Sequence, residues 1–385
     1  MSEGGADRRR VAVVTGTRAE FGLLAPVMRA VRDHPGLALR TVVAGAHFLP
    51  PAETWREVEE AFGVDARVPM QRPGATGRIA DAEALGEGVA GCAREFARLG
   101  PSWVVVLGDR IEAFAAAAAA SIAGIAVAHL HGGDRAEGVA DEAMRHAITK
   151  LAHLHLPATQ ESAGRIARMG EDAWRVRVVG SPAMDGLAGV RPLGDAEFQR
   201  LGSPDAVFLM HPVGRSDDDE ARDAAAVLAG LRGRRVLALA PNFDPGREGI
   251  ARAIREAGVS AIDHLPRGVW LSLLRRLADA EPRGVLVGNS SAGLIEAAGL
   301  GGSGTALAVV DIGPRQAGRE RAANVIGVGA ATPEAVAEAV RCALALDLRG
   351  MAHPYGDGRT GPRVAAALAG ADLGDPGWLR KRSTY

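Results

Sequence analysis

The feature that most limits how this chain can fold is a series of short runs that are apolar throughout, each followed by a stretch of helical pattern. They are VAVVTG at 11–16, LRTVVAG at 39–45, WVVVLGD at 103–109 and GIAVAHLHGG at 124–133. LAHLHLPAT at 151–159 and RVRVVGSP at 175–182 continue the pattern. After a polar, turn-rich stretch at 181–206 it restarts with VFLMHP at 207–212, RRVLALAPN at 234–242, VLVGNS at 285–290 and ALAVVDIG at 306–313. A strand that is apolar on both faces has to be covered on both, so the pattern predicts parallel sheets flanked by helices. At 385 residues the chain is roughly twice a typical domain. Two α/β halves follow, joined near 185–200, with boundaries at 1–185 and 186–385 and the option that the last helix packs back on the first half. The Gly/Pro-rich stretch at 70–76 reads as a mobile loop rather than a linker, and no tandem repeat is present.

Composition narrows the function. Lys+Arg 45 against Asp+Glu 46 leaves a net charge of −1, which removes the electrostatic basis for a nucleic-acid or anionic-membrane binder. Aromatics at 4% argue against stacking platforms for single strands. Among the cations only Lys150 and Lys381 are lysines, a bias that base composition accounts for at most positions and that leaves a few arginines as candidate anion forks. Cys92 and Cys342 lie far apart without CxxC spacing, so neither a disulfide frame nor a thiolate zinc site is expected. The uncharged run from Ala113 to Gly132 is mostly alanine and breaks at Gly124, as a buried helix followed by a strand does, unlike a membrane span. MSEGGADRRR running into VAVVTG lacks the form of a signal peptide, and the expected location is cytoplasmic.

In parallel sheets, ligands bind beyond the carboxyl ends of the strands. Five polar clusters sit at that position: TGTRAEFG, GDR, HGGD, HPVGR and GNSS. Gly16–Thr17–Arg18 is neither GxGxxG nor a Walker A, and Arg18 is either a phosphate ligand or a solvated cap. Around Ser290 and Ser291, small residues let a diphosphate approach backbone N–H groups, while Glu296 can accept vicinal ribose hydroxyls or cap its helix. His129, His131 and Asp134, followed by Asp141, Glu142, Arg145 and His146, form with Asp109 the densest titratable cluster, suited to general acid/base work. An HxH-plus-Asp metal site competes with that reading, but no third well-spaced imidazole supports it. His153 and His155 read as core or interface residues. His211 and Arg315 are further cleft candidates, whereas Arg267, Arg275 and Arg276 read as solvated-face or interdomain charges.

Together these stretches resemble the hydrolysing UDP-N-acetylglucosamine 2-epimerases of sialic-acid-type sugar biosynthesis. The resemblance is carried in order by TGTRAEFGLLAPVM, LGDRIEA, HLHGGDRAEGVADEAMRHAITKLAHLHLPAT, VVGSPAMD, APNFDPGREGI, GNSSAGLIEA, IGPRQAGRERAANVI and HPYGDGRTGPRVAAAL, covering most of residues 11–370. It implies an α/β fold of two Rossmann-like domains in a glycosyltransferase-B arrangement with the UDP-sugar in an interdomain cleft, and a homodimer or homotetramer. It also implies anti elimination of UDP to 2-acetamidoglucal and then hydration to free N-acetylmannosamine, without nicotinamide, metal or other cofactor. Carried over by position, Arg18, His211, Ser290, Ser291 and Arg315 fall on diphosphate-binding positions and Glu296 on the ribose-binding carboxylate. Asp109, His131, Asp134, Asp141 and Glu142 fall on the acid/base region. Either Asp109 or Asp134 is then the base at C2, and either the Asp141–Glu142 pair or His131 handles water. The chain departs from the family pattern at Asp134, where Glu is common, at Ala292 in NSSAG, at Pro314, and in the Gly-rich insertion at 299–304. These departures bear on the sugar more than on the nucleotide, and related enzymes act on UDP-2,4-diacetamido-2,4,6-trideoxyhexoses. A non-hydrolysing 2-epimerase and a non-catalytic sugar-nucleotide binding protein are the remaining alternatives.

Overall fold

The computed structural model describes residues 8–50, 53–75, 77–135, 141–242, 244–300 and 306–382, with the backbone alone at Asp141. The chain forms two compact units. The first takes in the described residues up to 134, then 141–185 and 356–382; the second takes in Arg135 and residues 186–355.

In the first unit six strands lie parallel in the order β3-β2-β1-β4-β5-β6. They are β1 (Arg9–Thr15), β2 (Leu37–Ala44), β3 (Ala66–Val68), β4 (Trp103–Leu107), β5 (Ala126–Leu130) and β6 (Leu154–Leu156). Successive residues of one strand feed opposite faces. Ala12 and Val14 of β1 join Val104 and Val106 of β4 in one apolar cluster, while Val11 and Val13 join Trp103 and Val105 in the other. The first cluster is closed by the alanine-rich helix Ile111–Ile122, the second by Leu24, Val27 and Met28 of the helix Arg18–Asp33. Val364, Ala365 and Leu368 of the helix Thr360–Gly370 enter that second cluster. The first turn of this last helix is capped by Asp185, whose carboxylate accepts from the Thr360 and Gly361 N–H groups at 2.9 and 2.7 Å.

The second unit repeats the topology. β7 (Ala206–Leu209), β8 (Val236–Leu239), β9 (Ser260–Ile262), β10 (Val285–Gly288), β11 (Ala308–Ile312) and β12 (Val325–Val328) are parallel in the order β12-β11-β10-β7-β8-β9. In both sheets the chain starts at the middle, winds outward, returns and winds the other way. Each sheet therefore has a topological switch point, between β1 and β4 and between β7 and β10, where neighbouring strand ends open a crevice. The fold class expected from the sequence, α/β with two Rossmann-like domains, is the one found.

One expected strand is absent. Residues 175–182 make only a single bridge, His155 to Val176, after a 3-10 turn at Ala173–Arg175. The alternating RVRV pattern is overridden because Arg175 turns inward, where its guanidinium donates to the carbonyl oxygens of His153 at 3.0 Å and Trp378 at 2.8 Å. Conversely, β3, β9 and β12 were not expected; each is an edge strand of three or four residues with one neighbour, too short for a periodic signal. The Ala113–Gly132 run is a buried helix and then β5, and among the described residues no helix is long and apolar enough to cross a membrane. Residues 70–75 connect β3 to the helix Arg78–Leu99 within the first unit, and Thr76 and most of the 299–304 insertion lie outside the described residues. Cys92 is buried, its thiol pushed up to about 12, and Cys342 is exposed; both are free.

Candidate active site

In the first unit the acid/base candidates gather at the ends of β4 and β5. β4 stops at Leu107 and delivers Asp109 one turn later. Its carboxylate forms an ion pair with Arg145, which projects from the helix Asp141–Leu151 and is itself buried. A second nitrogen of Arg145 donates to the His131 carbonyl oxygen at 3.2 Å, so one guanidinium ties the two strand ends together. Beneath them, His129 of β5 donates from Nε2 to the Gly108 carbonyl oxygen at 2.8 Å, which anchors the turn carrying Asp109. Burial holds the His129 imidazole at about 3, so it stays neutral. His153 and His155 are buried as expected.

Immediately after β5, His131 takes a left-handed backbone at φ 59°. Its Nδ1 lies 2.7 Å from Asp134 Oδ2 and its Nε2 lies 3.0 Å from Ser181 Oγ. Asp134 Oδ1 accepts from Ser162 Oγ at 2.8 Å. The turn needs Gly133, at φ 77°, because a Cβ there would collide with the Ser162 carbonyl oxygen. Glu142 sits a turn away on its helix, 3.6 Å from His146 Nε2 at i,i+4. The side chain of Asp141 lies outside the described residues. Asp109, His131 and Asp134 are thus brought into one assembly by Arg145, Ser162 and Ser181.

At the neighbouring end of β1, Thr17 caps the helix Arg18–Asp33, its hydroxyl accepting from the Glu20 N–H at 3.3 Å. Arg18 is half-exposed and pairs with Glu57 at 3.1 Å. Behind the turn lies a feature the sequence reading did not single out. The Gly16 N–H donates to Glu20 Oε2 at 2.6 Å, and the fully buried Glu112 packs against Gly16 from the other side. Burial, reinforced by the nearby Glu112, pushes the Glu20 carboxyl up to about 8. The spacing TGTRAE contained the signal, but a first-turn glutamate normally reads as a solvated favourable charge.

In the second unit β7 ends at Leu209 and β10 at Gly288, side by side across that sheet's switch point. Gly288 is required there, since a Cβ would meet the Leu209 carbonyl oxygen. Asn289 locks the two ends: its Oδ1 accepts from the His211 N–H at 2.7 Å and its Nδ2 donates to the His211 carbonyl at 2.8 Å. The Asn289 carbonyl in turn accepts from Arg315 at 3.2 Å and Gln316 at 2.8 Å, both following β11. Burial, with Arg315 nearby, lowers His211 to about 3 and leaves it neutral, with Nδ1 accepting from the Asn242 N–H at 3.2 Å. Ser290 caps the next turn, its hydroxyl accepting from the Ala292 N–H at 3.4 Å, and Ser291 begins that turn. His211, Ser290, Ser291 and Arg315 are therefore drawn together around Asn289, whose role in GNSS no local pattern signals. Glu296 is buried and pairs with Arg267 at 2.5 Å, and Arg275 and Arg276 pair with Asp279 and Asp195. Among the described residues no group of three or more His, Cys, Asp or Glu side chains is placed to hold a metal ion.

A family model described as UDP-N-acetylglucosamine 2-epimerase matches residues 29–369. The chain is 35% identical over 376 residues to a UDP-N,N'-diacetylbacillosamine 2-epimerase (hydrolyzing) of Legionella pneumophila, covering 94% of this chain and 95% of that one. It is 29% identical over 330 residues to a UDP-N-acetylglucosamine 2-epimerase of Neisseria meningitidis serogroup B, covering 83% of each. In structure it is similar to a Neisseria meningitidis UDP-GlcNAc 2-epimerase solved with UDP-GlcNAc bound. There the TM-score is 0.76 at 17% identity, over 93% of this chain and 99% of that one.

Proposed function

Because the chain belongs to the UDP-N-acetylglucosamine 2-epimerase family, we propose that it is a hydrolysing member, releasing UDP and a free 2-epimerised N-acetylhexosamine. The observation that carries this reading is the assembly of Asp109 with the buried Arg145, His131 and Asp134 at adjacent strand ends. A base takes the C2 proton, the C–H electrons form the C1=C2 bond of 2-acetamidoglucal, and the C1–O bond breaks to release UDP. Water then adds across that bond, oxygen to C1 and hydrogen to C2. The C2 hydrogen is weakly acidic, so the step needs a positioned carboxylate, either Asp109, held by Arg145, or Asp134, held by His131 and Ser162. Charge growing on the leaving diphosphate is met by Arg18, Arg315, His211 and the turn at Ser290–Ser291, with Glu296 on the ribose.

UDP-N-acetylglucosamine, giving N-acetylmannosamine for a sialic-acid-type pathway, is the first substrate reading. A UDP-2,4-diacetamido-2,4,6-trideoxyhexose is the second, favoured by the named substrate of the Legionella relative. The enzyme is proposed to work in the cytoplasm as a homodimer or homotetramer, which light scattering after size exclusion decides.

The deciding experiment incubates the protein with each UDP-sugar in D2O and follows products by NMR. Free sugar with deuterium at C2 and one equivalent of UDP is expected. Intact, epimerised UDP-sugar would place the chain among the non-hydrolysing members, and UDP binding without turnover of either sugar would leave a binding protein.

A further inference from the structure

His131 occupies the left-handed region at φ 59°, a conformation that is unfavourable for a non-glycine residue and persists only where surrounding structure imposes it. What imposes it is a continuous line of buried polar atoms. Ser181 Oγ lies 3.0 Å from His131 Nε2, His131 Nδ1 lies 2.7 Å from Asp134 Oδ2, and Asp134 Oδ1 lies 2.8 Å from Ser162 Oγ. All four residues are more than nine-tenths buried.

The donors can be assigned from the ends inward. A carboxylate only accepts, so His131 Nδ1–H and the Ser162 hydroxyl both donate to Asp134. Ser162 Oγ keeps a lone pair for the Thr159 hydroxyl at 3.1 Å. A neutral imidazole protonated at Nδ1 must accept at Nε2, so the Ser181 hydroxyl, 3.0 Å away, is assigned as its donor; Ser181 Oγ in turn accepts from the Ala183 N–H at 3.3 Å. Each of these side-chain hydrogen bonds runs toward Asp134, with a donor facing an acceptor at each step.

We infer that Ser181 and Ser162 are positioning residues of the acid/base centre: with His131 and Asp134 they form one buried unit, Ser181–His131–Asp134–Ser162, that fixes the imidazole as its Nδ1–H tautomer and the carboxylate in a single orientation. The short side chain of Asp134 reaches both His131 and Ser162 at hydrogen-bond distance. The catalytic half of the inference rests on the reaction proposed above. The geometric half does not.

Two measurements test it. Imidazole 15N NMR, with His131 assigned by its loss in His131→Asn, is expected to show Nδ1 protonated and Nε2 as an acceptor. An Nε2–H tautomer overturns the chain, whether or not the protein turns over any sugar. Second, Ser181→Ala and Ser162→Ala are each expected to lower kcat roughly tenfold to a hundredfold with KM and UDP affinity unchanged. The double variant is expected to lose no more than the worse single one, as groups acting as one unit do. Unchanged kcat, or losses that multiply, would overturn the positioning role. If the variants do not fold, the tautomer of the wild-type ring decides. A wild-type protein that turns over no UDP-sugar would count against the proposed reaction and leave the tautomer result standing.

Discussion

Lys381 places its Nζ 2.7 Å from Glu171, where the chain's other lysine, Lys150, arrives at the same distance from the second carboxylate oxygen. The same Lys381 ammonium donates to the carbonyl oxygens of Thr149 and Lys150, closing the carboxyl end of the helix that carries Arg145. Burial alone pushes the Glu171 carboxyl up, but hydrogen bonds from His155, Lys150 and Lys381 together outweigh it and hold it at about 2. The lysines that escaped the arginine bias thus share one buried anion, and a flexible ammonium with three donors suits the two helix carbonyls and the carboxylate at once.

Lys381→Met is expected to lower unfolding free energy by about 1–3 kcal/mol, because a buried carboxylate and two carbonyls lose a charged donor. Lys150→Met should cost less, since that lysine is nearly half exposed. Urea unfolding followed by circular dichroism checks the order. Equal losses would contradict the central place given to Lys381.

Acid should destabilise the protein well before its carboxylates titrate. Burial lowers His129 and His211 to about 3, and His47 and His153 to about 4, against 6.5 for the free side chain. As pH falls below 6.5 the unfolded chain binds these protons and the folded one does not, so stability present above 6.5 is lost down to about 3. Each histidine contributes about 1–2 kcal/mol of that loss by pH 5. Glu171 adds a further loss between 4.5 and about 2. Urea midpoints measured at pH 7, 6 and 5 should fall steadily. A flat profile over that range would exclude neutral buried histidines.

Glu20 has the opposite sign. Its folded value of about 8 lies above the unfolded 4.5, so its contribution is fully present below 4.5 and is lost as pH rises to 8. Glu20→Gln keeps an acceptor for the Gly16 N–H and removes the charge facing Glu112. A gain of roughly 1–3 kcal/mol at pH 8 that shrinks toward pH 5 is expected in thermal or urea unfolding. A variant that is less stable than wild type at pH 8 would sink this account.

The proposed acid/base and diphosphate residues should separate kinetically. Asp109→Asn is expected to reduce kcat by about 10²–10⁴ while leaving UDP affinity within a few-fold. Arg315→Ala should weaken UDP binding by about 1.5–3 kcal/mol, as loss of a charge-assisted hydrogen bond does. Titration calorimetry with UDP beside steady-state rates resolves the two. Weak UDP binding in Asp109→Asn would remove that residue from the acid/base role.

The doubly apolar runs, read with nothing else, determine the parallel sheets, because a strand greasy on both faces has no stable place outside a covered sheet. The same runs locate the polar clusters at strand ends, and so Asp109, His131, His211 and Ser290 were legible as candidates before any coordinates. The edge strands β3, β9 and β12 were not, since three or four residues with one neighbour carry no periodicity of their own. Nor was the loss of the expected strand at 175–182, where Arg175 found buried carbonyls that only the folded chain assembles. Partner choice is what tertiary structure alone decided. That Arg145 holds Asp109, that Ser181 meets His131 across fifty residues, and that Lys381 closes a helix more than two hundred residues away depend on distances no local pattern encodes. Local sequence specifies which face of an element is apolar. The pairing of buried charges follows only once those faces have been packed, because only then does desolvation make an unpaired polar atom costly.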